Sequence, residues 1–284
     1  MLLGRGANIN AHSGWGASVL GSASRGGTCD TVEFLLSRGA ILDTPALGSS
    51  GLACAAGGGN IDVLKLLLAR AQRSVIERCP HTIHRAVFGG HTDAIELLLD
   101  YGFNIDAVDA YGETPLLHAC SMTILRSGVV VDYLLRRGAD VTARSTDGNT
   151  ALHRAVRPNV PDAVESLIAA GSDLEARNNS GATPLIGFPN SGVGPRHLVV
   201  LKILLDAGAD VNARDKCGRN VLHMLGTAFM VEGCKIKFAS ELLERGVDIN
   251  ARDQDGVTPL GRLAQMNFRP ADLVAFLVAH GAVE

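Results

Sequence analysis

One apolar triplet with the spacing i, i+3, i+4 recurs along this chain. It appears as Val32/Leu35/Leu36, Leu64/Leu67/Leu68, Ile95/Leu98/Leu99 and Val131/Leu134/Leu135, then as Val164/Leu167/Ile168, Leu201/Leu204/Leu205, Ala239/Leu242/Leu243 and Val274/Leu277/Val278. Residues three and four apart share one helix face, so each triplet predicts an amphipathic helix. Three residues after each triplet stands a glycine, at Gly39, Gly102, Gly138, Gly171, Gly208, Gly246 and Gly281, with Ala71 as the one exception. A glycine just past a helix end predicts a left-handed cap. Leu3 and Gly6 read as the tail of one further unit. Successive cap positions differ by 33, 32, 31, 36, 33, 37, 38 and 35 residues, which marks a repeat architecture.

A second signal falls midway between the caps. Thr114-Pro115, Thr183-Pro184 and Thr258-Pro259 each precede a leucine. Threonine caps the first free N–H groups of a helix, and proline fills its first position without losing a hydrogen bond. Each unit is therefore expected to run as cap, helix, tight turn, second helix, glycine stop and short extended loop. Two such short helices alone would not persist in water, so stacking must stabilise them.

These segments resemble the ankyrin-repeat family. YGETPLLHAC at 111–120, DGNTALHRAV at 147–156, SGATPLIGF at 180–188 and DGVTPLGRL at 255–263 are similar to its G-x-T-P-L-H-x-A motif. GADVTAR, GADVNAR and GVDINAR, at 138–144, 208–214 and 246–252, resemble its helix exit and hairpin, and Gly90-His91 its second-helix opening. The resemblance implies an all-α solenoid of stacked helix-turn-helix units with projecting hairpin loops. It implies one domain over 1–284, of about eight repeats, partial at the N-terminus. Hairpin tips and first helices would line a concave groove.

Departures from the pattern shape further expectations. Residues 71–82 lack the glycine stop and a hairpin signal, so that unit reads as degenerate. The spacings of 36, 37 and 38 place extra residues (SMTILRSG, NSGVGPR and GTAFMVEGCK) between paired helices. The last helix, PADLVAFLVAHG, is apolar nearly all round, whereas a terminal repeat should carry a polar outer face. Either the chain is a fragment of a longer array, or this end packs on another domain or subunit.

Composition narrows the function classes. The 46% hydrophobic and 19% charged content belongs to a folded chain, and 33 glycines without a G-X-Y period exclude collagen. A net charge of -3 gives no overall attraction to nucleic acid or anionic membrane. No apolar run reaches the roughly 18 residues that span a bilayer, and MLLGRGANIN turns polar too soon for a signal peptide. Six cysteines without a CxxC pair read as reduced, mostly buried thiols, consistent with a cytoplasmic or nuclear location.

Catalytic and cofactor chemistry finds little support. Cys79-x-His81-x-x-His84 does not match a zinc spacing, Gly57-Gly58-Gly59 has no following G-K-[ST], and Gly192-Val193-Gly194 has no third glycine. His84, His153 and His223 sit where the family uses the imidazole for internal hydrogen bonds. No enzyme activity, cofactor or metal is expected.

Partner contacts are expected at the hairpin tips. The residue before the loop glycine is Trp15, Tyr111, Asp147, Ser180, Cys217 and Asp255 in successive units, and large aromatics are frequent interface anchors. Arg144, Arg177, Arg214 and Arg252 share one hairpin position, a ladder suited to a carboxylate- or phosphate-bearing partner. Asp215 and Asp253 follow two of these arginines, leaving Arg144 and Arg177 less compensated. The degenerate unit adds a basic cluster, Lys65, Arg70, Arg73, Arg78 and Arg85, suited to an acidic partner. The expected role is a protein-interaction scaffold. The alternative is the recognition module of a larger machine, such as a ubiquitin-ligase adaptor.

Overall fold

The computed structural model describes residues 8–13, 17–42, 50–72, 79–122, 127–158, 160–188, 197–225, 232–266 and 270–284. Leu3, Gly6, Trp15, Arg73, Arg78, Gly192 to Gly194 and most of the three long turns lie outside them. Chain packing divides the molecule into two compact units, Met1–Asp140 and Val141–Glu284.

Among the described residues, the first unit shows four helix pairs. They are α1 (Val19–Gly26) with α2 (Cys29–Ser37), α3 (Gly51–Gly58) with α4 (Ile61–Arg70), α5 (His81–Gly89) with α6 (Thr92–Asp100), and α7 (Pro115–Cys120) with α8 (Ser127–Arg136). First helices stack on first helices, α1 on α3 on α5 on α7, and second helices α2, α4 and α6 stack likewise. The second unit repeats the plan. It pairs α9 (Ala151–Ala155) with α10 (Pro161–Ala169), α11 (Pro184–Gly187) with α12 (His197–Asp206), α13 (Val221–Leu225) with α14 (Glu232–Glu244), and α15 (Pro259–Ala264) with α16 (Ala271–Ala279). Its first helices α9, α11, α13 and α15 form one row, and α10, α12, α14 and α16 the other.

The triplets form the core between the rows. In most repeats the first two members are buried and the third is half-buried, as with Val32, Leu35 and Leu36 or Val164, Leu167 and Ile168. Full burial of such a side chain is worth about 1.5–3 kcal/mol, and each meets residues of its own and adjacent repeats. The last helix departs from this register. There the buried stripe is Leu273 and Leu277, while Val278 is 54% exposed.

Local chemistry sets the boundaries. Thr114, Thr150, Thr183 and Thr258 each accept the N–H of the residue three ahead, and Pro115, Pro184 and Pro259 occupy first-turn positions. The seven glycines after the second helices have φ between +79° and +96°, the left-handed region that their spacing predicts. Ala71, the exception, closes α4 in an extended rather than a left-handed conformation (φ -73°, ψ 130°). The third insertion is shorter than its sequence suggests: Glu232 to Lys235 already belong to α14, which reaches 13 residues.

Among the cysteines, Cys54, Cys79 and Cys120 are buried, Cys29 and Cys234 are half-buried, and Cys217 is exposed, so burial is less complete than expected. All six are free thiols.

Candidate functional site

The hairpins are built by short polar side chains that fold back on their own loop. The Asp109 carboxylate accepts the N–H groups of Tyr111 and Glu113 at 2.8 and 2.9 Å, and Asn178, Asp215 and Asp253 do the same two and four residues ahead. Backbone pairs such as Asp215 N–H to Arg219 C=O at 3.0 Å close each loop. Position 145 breaks the series. Ser145 is too short to reach, and its buried hydroxyl has no hydrogen-bond partner. Ser145→Asn is therefore expected to stabilise the chain by about 1 kcal/mol, read as a higher urea midpoint. A lower midpoint would mean that this loop has no room for the amide.

Adjacent hairpins of the second unit are joined through their backbones. Asn179 N–H donates to Asp147 C=O, Lys216 N–H to Ser180 C=O, and Gln254 N–H to Cys217 C=O, at 2.9–3.0 Å. The arginine ladder reinforces these joints. Arg144 Nη1 donates to Gly148 C=O in its own loop at 3.1 Å and to Arg177 C=O in the next at 2.7 Å. Arg177 likewise bonds the carbonyls of Gly181 and Arg214, and Arg214 those of Gly218 and Arg252. Arg252 closes on Gly256 C=O at 2.7 Å. One guanidinium nitrogen of each arginine thus holds the scaffold, while Arg144, Arg177 and Arg252 remain exposed side chains.

The expected compensation by neighbouring aspartates takes another form. Asp215 pairs with Arg219 and Asp253 with Arg262, each at 2.7 Å, whereas Arg214 meets Asp248 at 3.4 Å. Burial alone would raise the Asp253 carboxyl. The Val257 N–H, the Arg262 guanidinium and the Asp255 N–H outweigh it and hold the group below its usual range.

A second clip was not evident in the sequence. The Asn212 side-chain amide donates to Gly246 C=O at 3.1 Å and accepts from Asp248 N–H at 2.7 Å, binding the next repeat's capping glycine. Asn250 does this to Gly281 and Val283, and Asn10 to Gly39 and Ile41. Its signal was the asparagine in GADVNAR and GVDINAR, which could have been matched to a carbonyl one repeat ahead.

The three imidazoles are internal, as their slot implies. His84 Nε2 donates to Glu113 C=O at 2.9 Å, His153 Nε2 to Ala182 C=O at 2.9 Å, and His223 Nε2 to Val257 C=O at 3.1 Å. Each carbonyl stands just before the capping threonine of the next repeat. Burial pulls all three rings below their usual pKa.

With the loops fixed in this way, the tips face outward. Tyr111 is 76% exposed, and Asp147, Ser180, Cys217 and Asp255 are exposed. Trp15 lies outside the described residues. A cleft of about 460 Å³ opens between the last two repeats, lined by Cys217 and Arg219 from one hairpin, Asp255 from the next, and Met224, Arg262 and Met266. Its walls combine adaptable thioethers with fixed charges, a composition suited to a protruding side chain.

The described members of the basic cluster around the degenerate repeat, Lys65, Arg70 and Arg85, fall on different helix rows. Lys65 and Arg70 belong to α4, where Arg70 pairs with Glu33 at 2.6 Å, while Arg85 belongs to the first-helix row. Among the described residues no group of three His, Cys, Asp or Glu side chains is placed to hold a metal ion. No described helix is long and apolar enough to cross a membrane.

Comparison with known proteins agrees with this architecture. The family described as ankyrin repeats (3 copies) matches residues 78–145 and 124–215. The chain is an ankyrin-repeat protein. It is 33% identical over 145 residues to the B-cell lymphoma 3 protein homolog of Mus musculus, covering 50% of this chain and 31% of that protein. It is 39% identical over 99 residues to ankyrin repeat and SOCS box protein 6 of Homo sapiens, covering 34% of this chain and 23% of that protein. A third relative, ankyrin repeat domain-containing protein SAT10 of Stachybotrys chartarum, is 32% identical over 157 residues, 46% of this chain and 8% of that protein. The chain thus spans about a third or less of these relatives. Ankyrin repeats are in general protein-binding modules, and typically non-catalytic.

Proposed function

We propose that this chain is a protein-interaction scaffold whose hairpin tips and first helices bind an intracellular protein partner. The observation that carries the reading is the pairing of exposed tips with a locked backbone. Each loop from 145 to 256 is tied to its neighbour by a backbone bond and an arginine, so the tips lose little freedom on binding. Trp15 and Tyr111 act as aromatic anchors. Arg144, Arg177, Arg214 and Arg252 hold the tips and offer the rest of their guanidinium edge to acidic groups of the partner. Neither nucleic acid nor a membrane is assigned as a partner.

Affinity capture from source-cell lysate with a Trp15→Ala/Tyr111→Ala/Met266→Ala variant tests this. The variant leaves the arginine ladder in place, so circular dichroism should match that of the native chain. The expected result is a partner held by the native chain and reduced roughly tenfold or more by the variant. Equal capture by both would place binding elsewhere on the molecule.

A second reading, the recognition module of a larger adaptor, draws on the relative whose name joins ankyrin repeats to a SOCS box. It requires a protein larger than this chain on an immunoblot of source cells.

A further inference from the structure

Arg25 in α1 and Arg85 in α5 are far apart in sequence, yet both lie against the same end of α3. A Cβ at Gly58 would stand 2.5 Å from the Arg25 carbonyl oxygen and 2.8 Å from its Cγ. One at Gly57 would stand 3.2 Å from the Arg85 carbonyl oxygen and 3.5 Å from its Cβ. The bare glycines let both neighbouring helices approach closely, so the two arginines flank one helix end. Both charges reach one group: burial pushes the Cys54 thiol up, and the charges of Arg25 and Arg85 pull it back.

Neither arginine has a carboxylate partner among the described residues, unlike Arg70, Arg137 and Arg245 of the second-helix row and its exits. The Nε of Arg85 is buried without a hydrogen-bond partner. The Arg85 guanidinium carbon lies 5.7 Å from the centre of the Phe88 ring, and Phe88 is 53% exposed and edge-on to His118 at 6.4 Å. Two uncompensated positive charges on a well-packed face attract carboxylates, and an exposed ring beside them supplies an apolar contact.

We propose that this first-helix face of the 1–140 unit docks an acidic segment of a partner protein, with carboxylates on Arg25 and Arg85 and an aromatic side chain on Phe88 and His118. The proposal rests on the protein-binding reading above and adds the chemistry of the partner. Only the stacking of three repeats brings this pair together.

Fluorescence anisotropy with a fluorescein-labelled random copolymer of glutamate and tyrosine tests it on the full chain. The native chain should bind. Arg25→Ala/Arg85→Ala should weaken binding roughly tenfold or more, and Phe88→Ala should also weaken it, with thermal melts unchanged. Lys65→Ala, which removes a cation from α4, should bind as the native chain does. Absence of binding by the native chain, or native-like binding by the double variant, would overturn the proposal. So would equal binding of polyglutamate that millimolar inorganic phosphate displaces, since that describes a simple anion site. A folded double variant that still captures the cellular partner overturns this site alone and leaves protein binding by the repeats intact.

Discussion

Gly181→Ala is expected to cost about 3 kcal/mol of folding stability, against about 1 kcal/mol for Gly256→Ala. The two glycines hold the same loop position with nearly the same backbone, φ +76° and +75°. Alanine is strained equally at both, by roughly 1–2 kcal/mol. The difference lies in what a new methyl would meet. At Gly181 it would stand 2.8 Å from the Lys216 backbone nitrogen and 2.7 Å from its Cγ, whereas at Gly256 nothing lies within 4 Å. The Lys216 N–H is the group that bonds Ser180 C=O, so the methyl would push apart the joint between two hairpins. Urea denaturation of both variants checks the prediction. Equal losses would show that the neighbouring hairpin yields freely.

Acidification is expected to weaken the fold through His84, His153 and His223. Each ring is held below its ordinary pKa of 6.5, by burial first. The unfolded chain therefore binds protons that the folded chain refuses, and stability falls as pH drops below about 6.5. Above that pH the contribution is fully present. Structure explains the refusal. Each Nε2–H already donates to a carbonyl, so a second proton must enter at Nδ1. At His84 that atom is buried without a partner, and at His153 it accepts the Thr150 N–H at 3.2 Å. Glu175, pushed up by burial, acts in the opposite direction, one group against three. The urea midpoint should drop on the order of 0.5 M or more between pH 7.5 and 5.5, and a flat profile would show that the rings are solvated.

The helix rows, their caps and the repeat length were legible in the sequence because each depends on residues within one unit. Val164, Leu167 and Gly171 announce a helix and its stop without reference to any other repeat. Contacts between repeats were harder to read. A guanidinium can clamp a partner or bond a carbonyl, and the sequence does not reveal that Arg177 C=O lies 2.7 Å from Arg144 Nη1. Asp215 and Asp253 looked like counter-charges to the arginines beside them, but loop geometry turns them toward Arg219 and Arg262. Arg25 belongs to no cluster along the chain, and Arg85 groups there with Lys65 and Arg70, because the contact that brings Arg25 and Arg85 to one helix end lies across α3.

The arginine ladder also separates two kinds of information within one loop. Its bonds end on backbone carbonyls, which every residue supplies, so the joint does not depend on which side chain occupies the tip. Asp147, Ser180, Cys217 and Asp255 differ in charge, size and reactivity, yet the loops beneath them share one geometry. On the proposed reading, substitution at Asp147, Ser180 or Cys217 redirects recognition without altering these backbone joints, whereas Asp255 also pairs with Arg262 at 2.5 Å. Under that proposal, a lineage of such chains changes partners by single-residue steps at the tips, with foldability held constant by the backbone joints beneath them.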